Sequence, residues 1–292
     1  MVTMFNTTRL ISQVNLKGAL PTGRFTDQEI LDLAFDALSE ELVPFILSFK
    51  EEYYVKSSSA SIVANQASYP IPNRASGSTL REVHYYRSNG EIINLERLNL
   101  EDLRYQQSYT QVMPTGFYVM GDDIILYPTP SQSGDSIAMF YFQRPAKLVP
   151  VSECGAITAI ATNTLTGTFP ATWTTANTFD LVNGGGSFST RGIDLAISSV
   201  STTTIVFSAT VPSSLAVGDY VCLAGETCLP PIPAEAHALL SIMTQRDCLE
   251  SMGAATEHAA AAAKVEQGKA SLKVVMANRI QGAPKGVTTS IM

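Results

Sequence analysis

Between Gly155 and Cys228 the chain holds only five charged residues (Asp180, Arg191, Asp194, Asp219 and Glu226) and is crowded with Thr, Ser and Gly. That segment constrains the fold more than any other feature. The short runs "GAITAIA", "TFDLV", "IDLAISSV", "TTIVFSA" and "DYVCLAG" recur with turn residues between them. This spacing predicts a small all-β domain, a sandwich or barrel. Cys154 and Cys228 flank it, so they are expected to lie near each other at its base.

Near the N-terminus, and again after this segment, the period is that of a helix. In "FTDQEILDLAFDALSEELVPFILSFKEEY", Thr26 and Glu29 form a capping box, in which each side chain satisfies the other residue's free backbone N–H. Ile30, Leu31, Ala34, Leu38, Leu42, Phe45, Ile46 and Phe49 follow with a 3.6-residue period and give one apolar stripe. Pro44 lies inside this helix and is expected to kink or break it near Glu40–Leu42. A shorter helix is expected over 7–17. Beyond "LPPIPAEA", Pro233 sits at or near the first turn of a helix that stops at Gly253. An alanine-rich helix follows, whose small side chains allow close helix–helix approach, although alanine also simply favours helix.

From about 64 to 148 the pattern is that of strands. "ASYPIP" reads as an edge strand because its prolines cannot donate to a ladder. "REVHYYRSNGEIINL" reads as a hairpin with a two-residue primed turn at Asn89-Gly90. "NLEDLRYQQ" reads as a short capped helix or turn. "GFYVMGDDIILYPTP" and "SIAMFYFQRPAKL" read as two further hairpin-like arms. The expected fold class is α+β: a helical bundle body with an antiparallel β-sheet region and an inserted small all-β domain. The core is expected over 1–154 plus 229–279, the insert over 155–228, and an extended C-terminal arm over 280–292.

The chain has 292 residues, 45% of them apolar and only 15% charged, with a net charge of −7. That balance argues against a general nucleic-acid binder, which needs basic surface to neutralise phosphates. It is compatible with a wall that repels phosphate and lets nucleic acid slide past. No secretory signal and no run of the ~18 apolar residues a membrane span needs is visible, so the expected location is inside the producing cell.

Three residues raise the question of chemistry. Gly121-Asp122-Asp123 resembles the metal-holding turn of RNA-copying polymerases. Such an enzyme needs a further aspartate on a neighbouring strand, because two divalent ions clamp the reacting phosphate. The nearest candidates, Asp27 and Asp32, belong to the capped helix. The triplet is better read as a hairpin tip, where Gly and Asp are usual. "NGGGS" at 183–187 lacks the Lys-Ser/Thr pair and following helix of a phosphate loop. No Cys-x-x-Cys pair occurs among Cys154, Cys222, Cys228 and Cys248, and His84, His237 and His258 are far apart, so these cysteines read as small buried residues rather than zinc ligands. Trp173 reads as core, with stacking on a ligand as the rival reading. No catalytic, cofactor or metal residue is expected, and no enzymatic activity.

"LPTGRFTDQEILDLAFDALSEELVPFILSFKEEYYV", "YPIPNRASGSTLREVHYY" and "PTGFYVMGDDIILYPTPSQSGDSIAMFYFQRPAKLV" together resemble head-to-tail adaptor (connector) proteins of tailed bacteriophages, especially short-tailed ones. The resemblance covers about 7–150 and the C-terminal helices; the 155–228 insert departs from the simplest members. It implies a homo-oligomeric ring, usually of twelve copies, at the head–tail junction of the virion, assembled in the host cytoplasm. The ring would dock beneath the portal protein, receive the tail nozzle or tail fibre proteins, and let DNA pass without specific binding. Helices about 26–50, 233–252 and 254–279 would form the ring body, with no membrane involved. The portal-binding arm would be Ile280, Gln281, Gly282, Ala283, Pro284, Lys285, Gly286 and Val287, since an extended tail can wrap a large surface as it orders. The rival reading is a tail or neck component whose insert binds host glycan or tail fibres, with Trp173 and Tyr220 stacking on sugar rings.

Overall fold

The computed structural model describes residues 5–18, 20–21, 23–101, 113–185 and 190–277. The chain divides into two compact units, Met1–Lys50 with Pro145–Met292, and Glu51–Arg144. The architecture is mixed α+β and includes a six-stranded closed barrel.

In the first unit, α1 (Thr7–Gly18) buries Leu10, Ile11 and Val14 along one stripe. The capping box at Thr26 opens α2 (Asp27–Asp36): Glu29 N donates to Thr26 Oγ1 at 3.2 Å and Thr26 N donates to Glu29 Oε2 at 2.7 Å. The irregularity expected from Pro44 takes the form of a π-helical segment, Ala37–Leu42, before α3 (Val43–Leu47). Proline cannot donate to the carbonyl four residues back, and its ring crowds that carbonyl. The wider turn, in which Val43 N donates to Leu38 O, relieves the crowding while the apolar stripe continues through Leu38, Leu42 and Ile46.

The second unit holds two four-stranded sheets. One has the order β1-β8-β3-β4, from β1 (Val55–Ser61), β3 (Ala75–Tyr86), β4 (Ile92–Asn94) and β8 (Ser136–Gln143). The other has the order β2-β7-β6-β5, from β2 (Ser68–Pro70), β5 (Glu96–Arg97), β6 (Gly116–Met120) and β7 (Asp123–Tyr127). Tyr69, Val83, Tyr85, Phe117, Ile124 and Tyr141 contribute to one shared core. Strand β2 is an edge strand, as its proline requires. The hairpin at Asn89-Gly90 forms, but its turn differs from the expected two-residue type. Only Gly90 has a positive φ (89°), and the ladder closes wider, with Arg87 N donating to Glu91 O. A primed turn of the expected kind needs positive φ at both central residues. "SIAMFYFQ" is not a separate arm: as β8 it pairs with both β1 and β3, which explains its nearly continuous burial. "NLEDLRYQQ" lies mostly outside the described residues.

The chain returns to the first unit through β9 (Lys147–Leu148). It then builds β10 (Gly155–Ala161), β11 (Thr164–Thr168), β12 (Thr178–Val182), β13 (Thr190–Val200), β14 (Thr204–Phe207) and β15 (Tyr220–Leu223). These six close as β10-β11-β14-β13-β12-β15 with every neighbouring pair antiparallel. Closure removes exposed strand edges, so a segment so poor in charge has no long edge open to aggregation. Leu165, Phe179, Leu181, Ile205, Phe207 and Val221 are among the residues filling its interior. On leaving the barrel, β16 (Glu226–Thr227) pairs in parallel with β9.

Helix α4 (His237–Ser251) is buried on most of its circumference because α1, α2 and α5 (Ala255–Ala277) all pack on it. Gly253 ends it with φ 71°. Helix α5 buries Ala261, Val265, Leu272 and Met276 along one stripe. At Gly268 it approaches α4 so closely that an added Cβ would meet Leu239 Cδ1 at 2.8 Å. The expected close approach through small residues is thus seen at this crossing.

Candidate functional site

The Gly-Asp-Asp triplet is a hairpin tip. Met120 and Asp123 form the last cross-strand pair of β6 and β7, leaving Gly121 and Asp122 as the two loop residues. Gly121 has φ 65°, the positive value that the first central position of a type II′ turn demands. Both carboxylates have structural partners: Ser68 Oγ donates to Asp123 Oδ2 at 2.7 Å, and Ser78 Oγ donates to Asp122 Oδ1 at 3.2 Å. The Ile71 N–H adds a 2.8 Å bond to the Asp122 carbonyl. The two acids therefore accept from the chain around β2 and β3 and hold the end of their sheet together.

Within the first unit, an open cleft of about 770 Å³ is lined by Arg9 and Lys17 of α1, His237 of α4, and Arg191 and Asp219 of the barrel. Its fixed element is an ion pair. Arg191 Nε donates to Asp219 Oδ2 and Arg191 Nη2 donates to Asn183 Oδ1, each at 3.0 Å. Asp219 also accepts from the backbone N–H of Gly184 at 2.8 Å and of Ala216 at 2.9 Å. These donors satisfy the charge of a buried carboxylate, so this group ties loops together. His237 stacks on Phe5 with ring centroids 4.3 Å apart, and burial draws its pKa down to about 4, leaving an uncharged ring at neutral pH.

The third feature is a cluster of sulfur atoms at the neck of the barrel. Cys154 immediately precedes β10, Cys222 lies in β15 and Cys228 follows β16. Their three Sγ atoms all lie within 4.8 Å of one another, and all three side chains are buried. Val149 and Leu229 complete the core around them, with Val151, Val182 and Tyr220 packed against it. The neighbouring Cys154 and Cys222 thiols pull the pKa of Cys228 below its ordinary value. The neighbouring Cys222 and Cys228 thiols push that of Cys154 up, and burial does the same for Cys222. The expected proximity of Cys154 and Cys228 is seen. The residue that sequence reasoning missed is Cys222. A Cys-x5-Cys spacing leading out of the last barrel strand was the available signal, and it is too loose to stand alone.

Trp173 is 6% exposed and packs among Phe169 and Phe179, 5.9 and 4.8 Å away by ring centroids. It is a core residue and is closed to a sugar ring. The arm residues Ile280, Gln281, Gly282, Ala283, Pro284, Lys285, Gly286 and Val287 lie outside the described residues. Among the described residues no helix is long and apolar enough to cross a membrane.

A family model described as SU10 adaptor protein matches residues 6–173, more than half of the chain. No curated protein matches it. The matched region takes in α1 to α3, both sheets of the second unit and the first two barrel strands, and it ends at Trp173.

Proposed function

From the premise that this chain belongs to the SU10 adaptor protein family, and is therefore a phage adaptor and a structural component of the virion, we propose that it forms a closed ring at the head–tail junction. The ring docks beneath the portal protein and receives tail nozzle or tail fibre proteins. DNA leaves the filled head through its lumen. The family match over 6–173 is the observation that carries this reading.

Two features of the chain support it. Helix α5 buries a single stripe and leaves Val274 and Val275 79% and 56% exposed, which suits a helical ring body whose neighbours pack side by side. A net charge of −7 with few charges overall suits a lumen wall that DNA passes without gripping. In this reading Asp122 and Asp123 turn a corner and do no catalysis. The segment 280–292 is the portal-binding arm, twelve copies make the ring, and the barrel contacts neighbouring subunits or tail proteins.

Co-expression of the full chain with its portal, followed by electron microscopy and native mass spectrometry, tests the proposal. A closed ring seated on the portal is expected. A chain that stays monomeric beside excess portal would overturn it. A chain ending at Arg279 is expected to lose portal binding while keeping its fold; full binding by that truncation would refute the arm.

A further inference from the structure

We propose that Cys154, Cys222 and Cys228 form a buried three-sulfur site for one thiophilic d10 cation, with Zn²⁺ as the reference ion, which staples the neck of the barrel. Such a site depends on the placement of the thiols and is independent of ring formation or portal docking.

The spacing of the sulfurs suits a shared ion. Three sulfurs bound to one Zn²⁺ at the usual Zn–S distance of ~2.3 Å are about 4 Å apart. The Sγ atoms here lie within 4.8 Å of one another, so small side-chain rotations bring them to bonding distance. They come from three separate segments, and each is held by its own frame. Cys154 is fixed by the turn in which its N–H donates to Val151 O, Cys222 by the ladder opposite Asp180, and Cys228 by a 2.9 Å bond from Thr7 N to its carbonyl. A site held by three rigid segments is preorganised, which lowers the cost of assembling it around an ion.

The donor chemistry narrows the choice of ion. The donor set is sulfur alone: among the described residues no imidazole or carboxylate joins the group. An all-sulfur set in an apolar shell of Val149, Val151, Val182 and Leu229 selects soft ions over Mg²⁺ or Ca²⁺. As each S–Zn bond forms, the corresponding S–H bond breaks and its proton passes to buffer, so loading releases up to three protons. No electron changes hands.

The place of the cluster in the chain gives an ion there a role. Cys154 is where the chain enters the barrel, and Cys228 is where it leaves. A cation bound to both, and to β15 through Cys222, closes the loop that contains the whole barrel. Such a crosslink gains its stability from the entropy it removes from the unfolded chain.

The test uses the full chain, purified under reducing conditions without chelator. Elemental analysis is expected to find near-stoichiometric zinc or another d10 ion. Co²⁺ titration of the metal-free wild type is expected to produce the intense near-ultraviolet sulfur-to-cobalt charge-transfer band, at one equivalent. Removal of the metal by a strong chelator is expected to lower the thermal midpoint, and Zn²⁺ to restore it. Cys222→Ser is expected to abolish the cobalt band, whereas Cys248→Ser, at a buried thiol of α4 outside the cluster, leaves it intact. The wild-type titration is decisive whether or not the serine variant folds. A wild-type chain that carries no metal as purified and shows no charge-transfer band with excess Co²⁺ would overturn the proposal. So would a band that survives in a folded Cys222→Ser chain, or a cluster found oxidised to a disulfide under reducing purification.

Discussion

Thr7, the first residue of α1, donates its hydroxyl to the carbonyl of Val149 at 2.9 Å, across 142 residues of chain. Its backbone N–H donates to the Cys228 carbonyl, also at 2.9 Å. One fully buried residue thus stitches the start of a helix to the chain both before and after the barrel. Thr7→Val keeps the shape and leaves the Val149 carbonyl without that donor in a buried setting. A loss of about 1–2 kcal/mol is expected in urea unfolding, with Thr7→Ser recovering part of it. An unchanged midpoint in Thr7→Val would show that the stitch carries no stability.

Arg246 couples α4 to the π-helical segment. Its Nη2 donates to Glu41 Oε2 and its Nε to Asp247 Oδ1, both at 2.7 Å, while Lys269 Nζ reaches Glu41 Oε1 at 2.6 Å. Arg246→Ala leaves two partly buried carboxylates with fewer donors and is expected to cost roughly 2–3 kcal/mol. Arg246→Lys is expected to recover little, because an ammonium cannot span both acids as the guanidinium does. A double-mutant cycle with Glu41→Ala measures the coupling, and a value near zero would refute the pairing.

His237 gives a pH dependence of defined sign. Burial lowers its folded pKa from 6.5 to about 4; the Ile232 backbone contact and Glu235 oppose the shift, and Arg9 assists it. The unfolded chain therefore takes up a proton that the folded chain refuses. Stability from this group is fully present above pH 6.5, falls as the pH drops from there towards 4, and levels off below. The expected span is on the order of 2 kcal/mol after allowance for the part-exposed ring. Chemical denaturation across that range checks it. His237→Phe, which keeps the stack on Phe5, is expected to flatten the slope; an unaltered slope would assign it to other groups.

The hairpin tip behaves as a corner in its mutational response. Gly121→Ala forces a Cβ into the left-handed region at about 1–2 kcal/mol. Asp123→Ala removes the acceptor for Ser68 at about 1 kcal/mol. Neither Mg²⁺ nor Mn²⁺ is expected to shift the thermal midpoint of the wild type. A shift lost in the paired Asp122→Asn, Asp123→Asn chain would instead make the tip a metal site.

The sequence was most legible where the cause is local. The Thr26–Glu29 box, the disturbance at Pro44, the stop at Gly253 and the Gly121-Asp122 turn each depend on residues within a few positions of one another. Their geometry follows from backbone hydrogen bonding and sterics that no distant contact overrides. The all-β character of 155–228 was legible for a related reason, since period and turn spacing repeat through the whole segment. The turn at Asn89-Gly90 marks the limit: the dipeptide announced a hairpin, but the pairing of β3 with β4 chose the wider closure.

Tertiary structure alone decided what distant segments do together. The same run of strands can make a sandwich or a barrel, and only the pairing of β10 with β15 closes it. Strand β8 took two partners, β1 and β3, because burial in a sheet interior is a property of the assembled sheet. Cys222 carries no local mark that separates it from any buried thiol. Its convergence with Cys154 and Cys228 arises because the barrel returns its last strand to the place where its first began. Local rules fix what each segment is; closure of the chain on itself fixes which side chains meet.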